Sequence, residues 1–595
     1  MPIQSKSLLR KFLIWRYKHI PERQFIYILS ILVGLLAGLG TTLLKNFTHY
    51  IQLLLRINYV KDYRSSLYFI FPIIGLLLVF IIKKIWLKKH IGHGISTTLH
   101  AISKLNGIIP RYNIFASLIT APLTVGFGGS VGLQGPAVSA GAALASNTAQ
   151  LFHMNVKTRM LLIGCATAGA MASMFKAPIA AIIFAVEVFS LDLAFASLVP
   201  LLLASVSAVV TSYFFMGTDV LFRFELVDKF EIKDIAFYVL LGIATGIMSV
   251  YFSKVFFAIS NFFKGFKSRS KRLLIGALAI GCILYMIPPL YGEGYGLINN
   301  LLKGDHITAI GNTPFNFDLT NIWIIIALLI GITIFKAIAM TITFGAGGVG
   351  GVFIPTLVMG SALGNAFAKI INNIGLNFHV SESNFTLIGM TGLMAGVLHA
   401  PLTAIFLIAE ITGGYELFVP LMLVAAISFA ITKYFISHSV YTLKLAQRGE
   451  LITHNKDNNV LMMLEIDKVI ETNFILLRPE MKLGEVLKNA VAKSSRNHFP
   501  VVDEKTRFIG VLRLDDVRNI MFNTSLYKKV TVSDLMHADA DIIFYEDDTM
   551  QIIMKKFKTS GAWNLPVIKD GKYYGYISKS RLLTAYRQKL INVTS

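Results

Sequence analysis

Long apolar runs, broken by glycines and short basic stretches, fill the chain up to about residue 449, and shorter alternating runs follow. Runs of about twenty apolar residues are typical of helices that cross a bilayer. Several runs here are shorter, among them Pro178–Phe189 and Pro401–Ile411, and we expect these to be tilted or partial helices buried in protein. The pattern predicts a mainly α-helical, polytopic membrane domain over residues 25–449. An amphipathic helix is predicted in residues 1–24, and a soluble α/β domain in residues 450–595.

Two stretches of the apolar domain occur twice. Gly128–Pro136, which reads GGSVGLQGP, aligns without gaps with Gly347–Pro355, which reads GGVGGVFIP. We call these glycine turn 1 and glycine turn 2. A second pair, FKAPIAAIIFAVEV and LHAPLTAIFLIAEI, aligns Glu187 with Glu410. Two halves with interrupted helices, about 25–215 and 235–449, predict a transport site at the interface of the halves.

The glycine turns have the pattern of an anion site. A glycine-rich turn that enters a helix with proline near its start presents free backbone N–H groups, and the helix dipole adds partial positive charge there. Ionisable residues within the apolar runs, Glu187, Glu410 and Lys336, each need a partner or an aqueous cavity. For the two glutamates, we favour hydrogen bonding to a helix amino terminus over a role in transport.

Composition agrees with a membrane protein. Of the 595 residues, 54% are hydrophobic and only 15% are charged, and the mean hydropathy is +0.63. The formal charge of +23 comes from basic residues beside apolar spans, so positive-inside topology explains it better than a nucleic-acid partner. We therefore expect both the amino terminus and the soluble domain to be cytoplasmic. Cys165 and Cys282 lie in apolar runs and are interpreted as packing residues. No metal site, resident cofactor or enzymatic activity is expected.

Four separated motifs carry a family resemblance. They are GHGIS at Gly92–Ser96, GLQGP at Gly132–Pro136, GGVFIP at Gly350–Pro355, and the tyrosine of SVYTLKLAQRG at Tyr441. In this order they resemble the pore-forming stretches of the CLC family of chloride channels and chloride/proton exchangers. The resemblance implies a CLC-type inverted repeat and a homodimer in a plasma membrane. Each subunit would have its own pathway for chloride or another small anion.

The resemblance also implies site residues. The central anion would be held by His93, by the hydroxyl of Tyr441 and by the amides of Val352 and Phe353. The outer gate and anion pathway would be formed by Leu133, Gln134, Gly135 and Ile354. Neutral hydroxyls, amides and helix ends attract an anion without a full positive charge that would trap it.

Departures from the family pattern bear on proton coupling. The family usually has glutamate where this chain has Gln134, and exchangers have a second, inner glutamate where this chain has Val188. A carboxylate titrates and an amide does not. The sequence thus favours a passive, proton-independent chloride channel. The alternative is a chloride/proton exchanger with an atypical proton route, through Glu187 for example.

A rival of another class is a cation transporter gated by the soluble domain. It is disfavoured because the motif stretches contain no acidic residue to bind a hard cation. His93 stands where serine is common in the family, and we expect a neutral donor or a ring turned aside rather than a charged imidazole.

The soluble region contains two copies of a strand, turn, strand and helix pattern, Asn497–Ile520 and Trp563–Tyr586. The pair resembles tandem CBS domains, about 466–525 and 530–590, which in some members bind adenine nucleotides. The candidate nucleotide-site residues are Asp516 and Ser578. The pattern of a hydroxyl residue followed three positions later by aspartate is broken in both copies, because Arg513 precedes Asp516 in the first and Arg581 follows Ser578 in the second. A structural or dimerising module is therefore favoured over a nucleotide sensor.

Overall fold

The computed structural model divides into two compact units, Met1–Arg448 and Gly449–Ser595. The structure describes residues 8–55, 64–87, 94–189, 195–218, 222, 230–310, 314–315, 317–375, 378–447, 461, 464, 466–538 and 541–594. Each unit is considered separately below.

The first unit is built from helices. In chain order they are α1 Leu8–His19, α2 Glu22–Leu54, α3 Arg64–Ile82, α4 Ile95–Lys104, α5 Tyr112–Gly126, α6 Gln134–Leu151, α7 Val156–Phe175, α8 Pro178–Phe189, α9 Phe195–Met216, α10 Ile235–Gly265, α11 Arg269–Met286, α12 Tyr295–Leu302, α13 His306–Ile310, α14 Ile322–Gly345, α15 Phe353–Asn373, α16 Glu382–Leu398, α17 Pro401–Ile411, α18 Phe418–Phe435 and α19 Leu443–Gln447. The amphipathic helix predicted to extend to residue 24 ends at His19, because Pro21 disfavours helical backbone before it and starts α2.

Among the described residues, eight helices are long and apolar enough to cross a membrane. The short helices α8 and α17 lie against each other and are two of the partial helices predicted from the sequence. Most residues of α7 and α15 are buried, so these two helices form the centre of the unit. The predicted mainly helical membrane architecture is confirmed.

The repeat is visible in how equivalent helices start and stop. Asn155 caps α7 by accepting a hydrogen bond from the Thr158 amide, and Ser381 caps α16 in the same way. Both helices end on a residue with left-handed backbone, Lys176 at φ 58° and His399 at φ 55°. Each is followed after one residue by a proline that begins the next helix, as the aligned sequences predict.

The second unit contains short strands and helices. The strands are β1 Ile470–Glu471, β2 His498–Val502, β3 Phe508–Arg513, β4 Ile543–Phe544, β5 Asn564–Lys569 and β6 Lys572–Ser578, and the α-helices are α20 Leu483–Val486, α21 Leu514–Arg518, α22 Val532–Leu535, α23 Met550–Ser560 and α24 Lys579–Thr594. Strands β2 and β3 form an antiparallel pair, and the other sheet has the order β1-β6-β5-β4. Each sheet buries its own apolar cluster, which agrees with the predicted α/β pair.

Candidate anion pathway

The two glycine turns are joined directly by backbone hydrogen bonds. The amide of Gly132 donates to the carbonyl of Gly351 at 2.9 Å, and the amide of Gly351 donates to the carbonyl of Gly132 at 2.6 Å. Helices α6 and α15 each begin two residues later. The pairing therefore brings together two helix amino termini that are distant in the sequence.

The close approach of the turns requires glycine. A Cβ added at Gly351 would lie 2.7 Å from the amide nitrogen of Gly135, and one added at Gly135 would lie 3.1 Å from the Cα of Gly351. Backbone atoms, unlike the ends of flexible side chains, cannot move aside to make room for a Cβ. The glycines that the sequence pattern singled out thus serve packing between the turns as well as exposure of amides.

The first and fourth motifs join the same cluster. Gly94 has φ +50°, and a Cβ there would lie 2.8 Å from the carbonyl oxygen of Gly135. At the second residue of α4, the Ser96 hydroxyl donates to the carbonyl of Tyr441 at 3.1 Å. Residues 88–93 lie outside the described residues, so the structure gives no position for His93.

Tyr441 is 6% exposed, and its buried hydroxyl has no hydrogen-bond partner among the residues that the structure describes. A buried hydroxyl without a protein acceptor keeps its hydrogen available for a bound water or ion. The arrangement fits a hydroxyl that donates to an anion.

The amino terminus of α15 supplies unpaired amides. The first amides of a helix have no acceptor within the helix, and the first hydrogen bond of α15 is donated by Thr356 to Val352 at 3.2 Å. The side chains of Val352, Phe353 and Ile354 are buried. The ring of Phe353 lies 5.2 Å from that of Phe175, between centroids. Amides in such apolar surroundings favour an anion more strongly than amides in water.

The outer position at glycine turn 1 differs from the expectation. Gln134 is fully buried and donates from Nε2 to the hydroxyl of Tyr295 at 3.1 Å, while its buried Oε1 has no partner within the described part of the chain. The Leu133 amide, expected to face an anion, donates instead to Oε1 of Glu293 at 3.1 Å. Glu293 was missed in the sequence, where the signals were an acid between two glycines in YGEGYG and an unpaired Lys336.

Lys336 has the partners that its burial requires. Its ammonium donates to the carbonyls of Leu290 at 3.2 Å and Gly292 at 3.0 Å. It also interacts electrostatically with Glu293. The predicted need for a partner is confirmed, and the partners lie on the segment that carries Glu293.

The paired glutamates of the repeat cap each other's helices. Glu187 accepts the amides of Leu402 at 3.2 Å and Thr403 at 2.8 Å, and Glu410 accepts those of Ile179 and Ala180 at 3.2 and 2.9 Å. The preference for helix-terminal hydrogen bonding is confirmed. Val188 follows Glu187 as a buried apolar residue.

The candidate nucleotide residues of the second unit already have protein partners. Asp516 accepts the amide of Arg513 at 2.9 Å and pairs with His537 at 3.0 Å. Ser578 donates to Glu471 at 2.8 Å and accepts the amide of Arg581 at 3.2 Å. Both side chains therefore stabilise helix starts and links between elements.

A contact between the two CBS copies involves histidine. Nδ1 of His498 lies 3.4 Å from Nδ2 of Asn564. Burial lowers the pKa of His498, which favours the neutral ring and an accepting nitrogen at this contact.

Family models match both units. The model of the voltage gated chloride channel matches residues 74–433, and the CBS domain model matches residues 466–523 and 532–588. Among curated proteins, the chain is 26% identical over 554 residues to the chloride channel protein CLC-f of Arabidopsis thaliana, covering 82% of this chain and 68% of that protein. It is 27% identical over 423 residues to the H(+)/Cl(-) exchange transporter ClcA of Vibrio cholerae serotype O1, covering 68% of this chain and 86% of that protein.

Solved structures share the fold. A eukaryotic CLC transporter matches with a TM-score of 0.59 at 16% identity, covering 97% of this chain and 99% of its own. A slow cyanobacterial Cl-/H+ antiporter matches with a TM-score of 0.58 at 20% identity, covering 72% of this chain and 98% of its own. The family model over residues 74–433 sets aside the rival interpretation as a cation transporter. The chain belongs to the voltage gated chloride channel family, whose members transport anions across membranes, and it carries a tandem CBS module.

Proposed function

We propose that this protein is a passive chloride channel that conducts without proton coupling. The observation that carries the proposal is the pairing of Gly132 with Gly351, which brings two helix amino termini together. The buried hydroxyl of Tyr441, which has no partner among the described residues, adds a neutral donor. These groups attract anions but are all neutral. A site without a full positive charge binds an anion weakly enough to release it, as conduction requires.

The absence of a proton route through the family's usual positions supports the channel over the exchanger. Gln134 does not titrate, and Val188 offers no proton-binding group. Glu187, the route considered for an exchanger, has both carboxylate oxygens occupied by hydrogen bonds to α17. A carboxylate held in this way serves the helix terminus.

We further propose a homodimer in a cell membrane, with the amino terminus and the CBS module cytoplasmic. In this assembly each subunit conducts through its own pathway, and His93 acts as a neutral donor or stays turned aside. We infer that the CBS pair is a structural or dimerising module without adenine nucleotide. Its support is that Asp516 and Ser578 are both engaged by neighbouring residues.

Reversal potentials of the purified protein in a planar bilayer test the channel proposal. Under a chloride gradient at equal pH, the reversal potential should follow the chloride equilibrium potential. A pH gradient added at fixed chloride should not move it. A shift with the pH gradient, or uphill proton movement driven by chloride in proteoliposomes, would establish an exchanger instead. Replacing chloride by nitrate, bromide or fluoride in the same recordings ranks the anions.

A further inference from the structure

We propose that Glu293 is the gating carboxylate of this pore, occupying the outer position at glycine turn 1 and leaving it when an anion passes. In the family resemblance, that role belongs to a glutamate at position 134. This chain has glutamine there, and the carboxylate arrives from a different segment. The inference needs an anion pathway at this turn, as the proposed function does, but it does not depend on whether transport is coupled to protons.

The contact itself suggests competition with the anion. Oε1 of Glu293 accepts the Leu133 amide at 3.1 Å, directly before the start of α6. The positive end of the helix dipole adds to the attraction for negative charge at this place. A carboxylate oxygen and a chloride ion both require the same amide, so one must leave for the other to bind.

The backbone around Glu293 is fixed against glycine turn 1. The amide of Gly292 donates to the carbonyl of Gly128 at 3.0 Å, and the hydroxyl of Ser130 donates to the carbonyl of Leu290 at 2.7 Å. Gly292 and Gly294, on either side of Glu293, have φ values of +64° and +97°, which favour glycine. The anchored segment holds the carboxylate within reach of the turn.

The Glu293 side chain is only half-buried. The backbone before it is held by the bonds of Leu290 and Gly292, and yet part of the side chain's surface remains accessible. Rotation about its side-chain bonds can therefore remove it from the Leu133 amide without moving the chain. Such a motion is fast compared with a domain movement.

Four groups from four elements face the carboxylate. Lys45 on α2 and Lys336 on α14 are the positive charges that act on it, and the Gln134 side chain on α6 interacts with it as a neighbouring polar group. Tyr295 at the start of α12 interacts with it electrostatically. The two lysines are themselves held in place, Lys45 by the carbonyl of Met174 at 2.7 Å and Lys336 by the carbonyls described above.

Protonation should therefore open the pathway. A neutral carboxyl group loses its attraction to the Leu133 amide and to the helix end, whereas chloride keeps its charge at any pH. We expect conduction to increase as the pH falls.

The test is conductance of the full-length protein in a planar bilayer as a function of pH. The wild type should conduct about tenfold more at about pH 5 than at about pH 7.5, the effect expected from losing one charged hydrogen bond. E293Q should conduct at the high level throughout and lose the pH dependence. E231Q, which removes an exposed carboxylate from the same unit, is the matched control and should behave as the wild type.

A relocation variant makes the test specific. Q134E/E293Q returns a carboxylate to the turn from position 134 and should restore the pH dependence that E293Q loses. If E293Q keeps the pH dependence of the wild type, or if the wild type has none, Glu293 is not the gate. Should E293Q fail to fold, chloride affinity of the wild type is measured by calorimetry instead. It should rise about tenfold over the same pH range, and a constant affinity would overturn the assignment.

The same recordings keep the two proposals apart. A reversal potential that follows the pH gradient would reject the passive channel. Glu293 would still be the gate if E293Q alters the pH dependence of the conductance. If the reversal potential follows chloride alone and the conductance of both E293Q and the wild type is independent of pH, the channel proposal is supported and the gating role of Glu293 is rejected.

Discussion

The two halves of the membrane unit share a scaffold but differ in what lies against their glycine turns. Gly128 and Gly347 open the turns with φ values of +96° and +101°, and the glutamate caps are reciprocal. The Leu133 amide of glycine turn 1 has a carboxylate on it. Within the described residues, no side chain bonds the amide of Val352, its equivalent in glycine turn 2. The aligned turns thus fix where the amides lie, and a segment outside the aligned motifs, which carries Glu293, decides what occupies the amide of Leu133.

The largest effect on stability should come from substituting Gly132 or Gly351, the two glycines whose backbones pair. The loss should differ between the two positions. G351A would place a Cβ 2.7 Å from the backbone nitrogen of Gly135, and we expect a loss of about 3 kcal/mol or more in stability. The equivalent G132A would meet the flexible end of Gln134, with Ile354 Cβ at 3.2 Å, and should cost about 1 kcal/mol. Thermal unfolding in detergent measures both.

Equal losses in G351A and G132A would mean that the turns respond alike despite the different neighbours. The packing asymmetry described here would then be wrong.

Substitution of Glu187 or Glu410, which cap each other's helices, should lower stability by similar amounts. E187Q and E410Q each replace a carboxylate that accepts two helix amides by a neutral amide group, with loss of charge-assisted hydrogen bonds. We expect each to lower stability by about 2 kcal/mol and to leave the chloride reversal potential unchanged. A variant that altered ion selectivity without loss of stability would give that glutamate a role in transport.

The hydroxyl of Tyr441 tests the neutral binding groups near glycine turn 2. Y441F should weaken chloride binding by about 1 kcal/mol, the value of one hydrogen bond. Stability should be retained because none of the described residues forms a hydrogen bond with the hydroxyl. Calorimetric titration with chloride measures the affinity. Unchanged affinity together with a folded protein would place the tyrosine away from the anion.

The smallest effect should come from the one difference between the caps. Thr403 adds a hydroxyl hydrogen bond to Glu187 at 2.6 Å, whereas its repeat equivalent, Ala180, has no hydroxyl. T403A makes the two caps chemically alike and should cost about 0.6 kcal/mol in stability, the average for such bonds between membrane helices. In the E187Q background the same substitution should cost less, and equal costs in both backgrounds would mean that the two groups are not coupled.

Part of this molecule could be predicted from the sequence because the information is local or repeated. The apolar runs predicted the helices, and the positions of proline and glycine predicted where many of the helices begin or end. The aligned turns predicted a meeting of two helix amino termini, since the same pattern in two halves of a membrane domain is typical of a site between them. The caps at Glu187 and Glu410 followed from buried charge beside a proline-initiated helix.

Glu293 could not be predicted from the same patterns. It lies in a loop without periodicity, and its contact with Leu133 spans 160 residues. A single sequence contains no signal for that pairing. Only the path of the chain, set by the anchoring of Gly292 and Lys336, brings this carboxylate to the amide.

The sequence by itself determined a helical membrane domain with an internal repeat, two glycine turns suited to an anion, and neutral side chains at positions 134 and 188. Those features depend on residue type and short-range order. The tertiary structure decided which amides stay unpaired and which receive a carboxylate, because hydrogen bonds between distant segments depend on how the helices pack. The hydrogen bond between Glu293 and the Leu133 amide at glycine turn 1 is one of these contacts that only the tertiary structure decides.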